Sequence, residues 1–295
     1  MVEFSGYVAI VGRPNVGKST LLNHLLGQKI SIVAQRPQTT RHCILGIKTT
    51  PTTQAVYVDT PGIHKETKKA INRYLNRAAK TSMLDVDVVV FVLDRNRWTD
   101  EDDIVLAEIE RSNKPVIAVV NKVDLIKDKG ALLPYLGELQ RRCNFVDILP
   151  LSAFSNKDVK KLEECVKAHL PKGDLIFPED QITDKSVKFL TGEIIREKLF
   201  RRLGQELPYN LAVEIEQFSE QDRIVKISAV IWVERKGQKA IVIGKKGALL
   251  KTVGSESRVD LEKMLDKRVH IELWVKVKEG WSNSETALKS FGYYD

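Results

Sequence analysis

The stretch Gly12-Arg13-Pro14-Asn15-Val16-Gly17-Lys18-Ser19 constrains the fold more than any other part of the chain. It fits the pattern G-x-x-x-x-G-K-[ST] and lies between an apolar run, Tyr7–Val11, and an amphipathic run, Lys18–Leu26. Such a loop works where a buried strand feeds directly into a helix. Its glycines let backbone N–H groups turn inward, and the helix N-terminus adds the positive end of its dipole to an anion cradle that runs on to Thr20. Lys18 would set a cation against β- and γ-phosphates, and the Ser19 hydroxyl could ligate Mg²⁺.

The pattern around the loop agrees with that beginning. Ala55–Val58, Val88–Leu93, Val116–Val120 and Phe145–Leu149 are short, nearly continuous apolar runs, as strands buried on both faces of a mainly parallel sheet should be. A further strand is expected at Cys43–Thr49, joined to the next by the hairpin loop Lys48–Gln54. Helical patterns fall between them at Lys69–Ser82, Asp102–Arg111, Ala131–Arg142 and Val159–His169. The alternation predicts an α/β doubly wound sheet with right-handed crossovers.

Two more segments sit where strand ends would bring them to the loop. Asp59-Thr60-Pro61-Gly62 follows Ala55–Val58; Asp59 would hold Mg²⁺ through a water, because Mg²⁺ keeps part of its hydration shell, and the Gly62 amide could meet a γ-phosphate. Asn121-Lys122-Val123-Asp124 follows Val116–Val120 and selects a base. The Asp124 carboxylate accepts from guanine N1–H and the 2-amino group, whereas adenine would leave it unpaired. Asn121 could reach the N7/O6 edge and the phosphate loop, and the Lys122 stem could lie along the base. Leu151-Ser152-Ala153 would bring the amides of Ser152 and Ala153 to guanine O6.

Residues Ile30–His42 read as a first switch, with Thr40 closing on the metal and Thr39 as the neighbouring alternative; a second switch would follow Gly62. Where many GTPases place a water-orienting glutamine, this chain has Ile63, so turnover by the isolated protein should be slow. His42 and His64 could be named as substitutes, but both read better as exposed switch histidines.

The last third has a different character. From Lys185 to Lys278 there are 20 Lys/Arg and 13 Asp/Glu, so a surplus of 7 out of the chain's net +8 lies there. A basic module beside a near-neutral one points to a polyanion. Leu170–Asp180, with two prolines and a glycine, reads as a linker. After it come a helix at Lys185–Leu203, alternating strands at Asn210–Phe218 and Ile224–Val233, a helix from Gly247 to Asp266 and a strand at Val269–Val277. An apolar strand, Ile241–Ile243, is expected to enter Gly244-Lys245-Lys246-Gly247. This is a GXXG loop of the kind that clamps single-stranded RNA, and Lys251 on the following helix would add to it. Three unpaired cysteines argue against a disulfide framework and for a reducing cytosol. No apolar run approaches a membrane span, and the N-terminus, with an acidic residue and no basic region, does not read as a signal peptide.

In combination, GRPNVGKS, QTTRH, DTPG, NKVD, LSA, IIREKLF, LPY, VERKGQKAIVIGKKGALLK and ELWVKVKEGW resemble the Era family, Ras-like GTPases of the TrmE-Era-EngA-like branch with a C-terminal KH domain. The resemblance implies an Era-type G domain over 1–170, a linker over 171–184, a type II KH domain over 185–280 and a tail over 281–295. It also implies GTP and GDP as ligands with Mg²⁺, catalytic roles for Lys18, Thr40 and Gly62, and binding of 16S rRNA near its 3′ end during assembly of the 30S subunit. A monomeric, cytoplasmic protein with peripheral contact to the inner face of the membrane is implied as well. Three rivals are a GTPase whose second domain binds protein, an RNA scaffold with a vestigial nucleotide site, and a tRNA-modifying GTPase. Lys245 and Lys246 speak against the first and the intact Lys18, Ser19, Asp59, Asn121 and Asp124 against the second. The third lacks its expected extra cofactor domain and catalytic cysteine motif.

Overall fold

The computed structural model describes residues 2–34, 39–62, 70–81, 85–204 and 211–291. Nearly all of the chain up to Asp184 forms one compact unit and Lys185 onward a second. The LPY motif, Gln38, Ile63 and His64 lie outside the described residues.

The first unit runs β1 (Phe4–Val11), α1 (Lys18–Leu26), β2 (Ile44–Thr49), β3 (Thr53–Asp59), α2 (Ala70–Thr81), β4 (Val88–Asp94), α3 (Asp100–Ser112), β5 (Val116–Asn121), α4 (Leu132–Arg142), β6 (Asp147–Pro150) and α5 (Asn156–His169). The sheet order is β2-β3-β1-β4-β5-β6. Only β2 is antiparallel, as the short turn between it and β3 requires. β3, β4 and β5 are buried along their whole length, which is why Ala55–Val58, Val88–Leu93 and Val116–Val120 are apolar without alternation. Burying each Val, Leu or Phe of these strands contributes about 1.5–3 kcal/mol. β1 lies between β3 and β4, so the chain leaves it toward β2 and β3 on one side and later crosses to β4 on the other. The crevice beyond its carboxyl end is the topological switch point where ligands of open α/β sheets bind. The phosphate loop occupies that place.

Residues 171–184 belong to this first unit and are tied to its sheet. Ser5 N–H donates to Pro171 O at 3.1 Å and Ile47 N–H to Ile182 O at 2.7 Å. The buried Gln54 side chain accepts from the amides of Ile176 and Phe177 and donates to Phe177 O. The segment covers a sheet edge at β2 without periodicity of its own, so its sequence carries only linker-like signals.

The second unit runs α6 (Val187–Arg202), β7 (Leu211–Glu220), β8 (Ile224–Val233), α7 (Lys236–Ile243), α8 (Ala248–Leu265), β9 (Arg268–Val277) and α9 (Glu285–Ser290). β8 is the central strand, antiparallel to β7 and parallel to β9. One sheet face buries Ile227, Ala229 and Ile231 against Ile195 and Leu199 of α6 and Val253 and Leu261 of α8. One expectation is corrected here. Ile241–Ile243, expected as a strand, is the last turn of helix α7. Its start is marked by Gln238, whose Oε1 accepts from the amides of Glu234 and Arg235, and that reach-back outweighs the β-branched composition. The region expected as a tail also packs: Trp281 is fully buried, and Phe291 meets it edge-on at 5.4 Å.

Candidate functional site

A cavity of about 450 Å³ opens at the carboxyl ends of the central strands. Residues from all five sequence segments line it: Lys18 and Ser19, Thr40, Gly62, Asp124 and Ala153 among them. The phosphate loop is shaped by its glycines. Gly12 has φ +150°, and a Cβ there would stand 2.4 Å from Val92 O; Gly17 has φ +105°, and a Cβ there would stand 2.3 Å from Asn121 Nδ2. No other residue fits either place.

Lys18 is buried and donates from Nζ to Gly12 O at 2.9 Å and Arg13 O at 3.0 Å. Burial pushes its ammonium down to about 8, partly opposed by the charge of Asp59. A desolvated cation whose hydrogen-bond partners among the described residues are loop carbonyls is prepared for an anion.

Asp59, fully buried at the end of β3, gathers hydroxyls. Ser31 Oγ donates to its Oδ2 at 2.7 Å, Ser19 Oγ at 2.8 Å and Thr40 Oγ1 at 3.4 Å, and the Ser19 and Thr40 oxygens are 2.8 Å apart. Burial pushes the Asp59 carboxyl above its ordinary range, against the pull of the Ser31 hydrogen bond and the Lys18 charge. Among the described residues its buried Oδ1 has no partner. Hard oxygen donors around an orphaned carboxylate oxygen fit Mg²⁺. Thr40 rather than Thr39 joins this group; Thr39 Oγ1 turns to Ala34 O at 3.4 Å. Thr60 is structural, donating from Oγ1 to Ile10 O at 3.0 Å, and Pro61 is buried beside it.

Asn121 is a clasp. Its Nδ2 donates to Val16 O at 2.9 Å, and its Oδ1 accepts from the amides of Ala153 at 3.0 Å and Lys122 at 2.8 Å. One side chain thereby fixes the phosphate loop, the end of β5 and the turn after β6. The Ser152 amide, in turn, donates to Asp158 at 3.2 Å. Both amides expected at guanine O6 are thus given to protein acceptors. Lys122 and Asn15 hold left-handed φ values of 61° and 65°, and Lys122 Nζ reaches Asn15 O. Asp124 is exposed in the cleft and, among the described residues, has no partner for its carboxylate. Leu125 and Phe154, 59% and 72% exposed, give the cleft an apolar lip suited to a planar ring.

Two expectations shift. Arg13 is committed away from the cleft: its Nε donates to buried Asp102 at 3.1 Å, and its Nη2 stands 3.6 Å from Asp94. His42 is buried, not exposed. Sequence reasoning also missed Asp94, which pairs with Lys122 at 3.3 Å, and Ser31. The only signal for Ser31 was a hydroxyl between two isoleucines in Ile30-Ser31-Ile32, all buried.

The second unit holds a groove of about 480 Å³ between α8 and β9, lined by Gly247, Lys251, Gly254, Arg258 and His270. Gly244 (φ +73°, ψ 174°) takes a conformation open only to glycine, and a Cβ there would stand 2.8 Å from Leu249 Cβ. Lys245 and Lys246 are exposed on the loop. Arg258 and His270 were not foreseen.

Comparison with known proteins matches each unit to a family. Residues 7–122 match the family described as 50S ribosome-binding GTPase, and residues 206–282 match the KH domain family. The chain is 56% identical to GTPase Era of Pseudomonas syringae pv. tomato over 290 residues, 98% of this chain and 97% of that one. It is 54% identical to GTPase Era of Ectopseudomonas mendocina, covering 100% and 98%. The crystal structure of an Aquifex aeolicus Era variant bound to GDP·AlF4⁻ superposes with a TM-score of 0.95 at 39% identity, over 99% of this chain and 100% of that one. A crystal structure of Era in complex with MgGDPNP and nucleotides 1506–1542 of 16S ribosomal RNA gives 0.94 at 39%, with the same coverage.

Proposed function

The chain belongs to the Era family of GTPases, and from that premise we propose that the cleft of its first unit binds GTP and GDP with Mg²⁺ while the groove of its second unit binds single-stranded RNA. The observation that carries the reading is the meeting, on one cavity, of a buried cation at Lys18, hydroxyls of Ser19 and Thr40 joined to Asp59, and the Asp124 carboxylate, which has no partner among the described residues.

In this reading the loop amides and Lys18 take the phosphates. Ser19 and Thr40 offer oxygens to the metal, with Asp59 behind them. Bound Mg²⁺ would neutralise charge on the β- and γ-phosphates. Gly62, close against Pro14 of the loop, would offer its amide to the γ-phosphate. Asp124 accepts from guanine, the second N–H of Asn121 remains for the base edge, and the Lys122 stem lies along the ring. Titration with a fluorescent GTP analogue, with and without Mg²⁺ and against competing ATP, tests this together with phosphate release. Equal competition by ATP, or no phosphate release, would overturn it.

We assign the RNA to 16S rRNA near its 3′ end and the role to assembly of the 30S subunit. The support is the basic surplus, the GXXG loop and the related Era structure that holds a 16S segment. Residues Gly244, Lys245, Lys246, Gly247 and Lys251 are the proposed contacts. Crosslinking the protein to cellular RNA and sequencing the fragments tests the target. A cytoplasmic monomer with peripheral membrane contact rests on family likeness alone; among the described residues no helix is long and apolar enough to cross a membrane.

A further inference from the structure

Three hydroxyls converge on Asp59, but they are not equivalent. Ser19 and Thr40 line the cleft, so their oxygens face a ligand while their protons can stay on Asp59. Ser31 is fully buried and does not line the cleft, and its Oγ makes the shortest of the three bonds, 2.7 Å to Oδ2. The Ser31 backbone is held as firmly as its side chain. Asn23 of α1 accepts at Oδ1 from the amides of Ile30 and Ser31, both at 3.0 Å, and donates from Nδ2 to Ser31 O at 2.7 Å.

We infer that Ser31 is a positioning residue for the metal: anchored by Asn23, it pins Asp59 Oδ2 so that Oδ1 is kept for a metal-bound water. The inference rests on the reading of the cleft as a magnesium–nucleotide site. A carboxylate with a lone orphaned oxygen can rotate about its last bond to share its burden. A donor held from the protein side by Asn23, outside the cleft lining, hinders that rotation. Groups that orient metal-binding carboxylates in this way typically change metal affinity by about 10–100-fold when removed.

The test measures release of fluorescent GDP against Mg²⁺ concentration, with release in EDTA as the metal-free reference. Ser31→Ala should shift the Mg²⁺ concentration for half-maximal slowing upward by about tenfold or more, while release in EDTA and the melting temperature of nucleotide-free protein change little. Ser31→Cys keeps the bulk but donates weakly, so it should follow the alanine variant. An unshifted Mg²⁺ dependence in Ser31→Ala would overturn the inference, as would wild-type behaviour of Ser31→Cys beside an impaired alanine variant, since packing alone would then explain the effect. If release from the wild type itself ignored Mg²⁺, the magnesium reading of the cleft would fail instead.

Discussion

The Asn121 side chain donates to the carbonyl of Val16 at 2.9 Å, across 105 residues of sequence, and thereby ties the base-selecting strand end to the phosphate loop. The same side-chain amide accepts from Ala153, so three segments of the proposed nucleotide site are joined through one side chain. Preorganisation of this kind spares the cost of ordering the loops on binding.

Removing the clasp should cost stability as well as affinity. Asn121→Ala leaves the Val16 carbonyl and the Ala153 amide without their partner in a buried site, at about 1–3 kcal/mol for each group. Chemical unfolding of nucleotide-free protein should show that loss alongside weaker GTP binding. Loss of affinity with unchanged stability would mean that Asn121 serves the base alone.

Lys18 should behave in the opposite way. Its ammonium is desolvated, with two loop carbonyls as its hydrogen-bond partners among the described residues and the Asp59 charge nearby. Lys18→Ala therefore relieves the cost of a buried charge at the loss of that attraction and should change the stability of the empty protein little. GTP binding should be lost. Retained binding would refute the loop assignment.

RNA binding should depend on Gly247 for a reason separable from folding. A Cβ at Gly247 meets nothing within 4 Å, although its φ of +77° is unfavourable for most residues, whereas Gly244 has room for none. Gly247→Asp therefore places a negative charge in the groove mouth at modest strain. It should abolish RNA binding yet preserve GTP binding and the circular-dichroism spectrum. Replacing Lys245 and Lys246 with alanine should weaken binding and reduce its log–log salt slope by about 0.7 per lost phosphate contact. Normal RNA affinity in Gly247→Asp would revive a protein partner for this unit.

How much of this was legible in the sequence follows from the range of the interactions concerned. Helix α1 and strand β8 were expected with the bounds they have, because periodicity, and for α1 its flanking glycines, are local signals. Asp59, Asn121 and Asp124 could be named because each sits at the end of an apolar run, and chain order alone says what such an end faces. Ile241–Ile243 misled because three β-branched or apolar residues read alike in a strand and in a helical turn. Ser31 and Asp94 were invisible because their meaning lies in partners 28 residues away, Asp59, and at Arg13 and Lys122. Residues 171–184 gave no period to read, since their order comes from hydrogen bonds to β1, β2 and Gln54.

The central claim, a cleft built to select guanine nucleotides, is tested most directly at Asp124. Its carboxylate is exposed in the cleft and, among the described residues, has no protein partner, so changing it alters what the base meets without breaking a described internal bond. Asp124→Asn replaces an acceptor with an amide whose NH₂ can donate to O2 of xanthine. Competition between GTP and XTP, measured on wild-type and variant protein, should show preference for GTP in the first and a move toward XTP in the second. A variant that still prefers GTP, with no gain for XTP, would contradict the account.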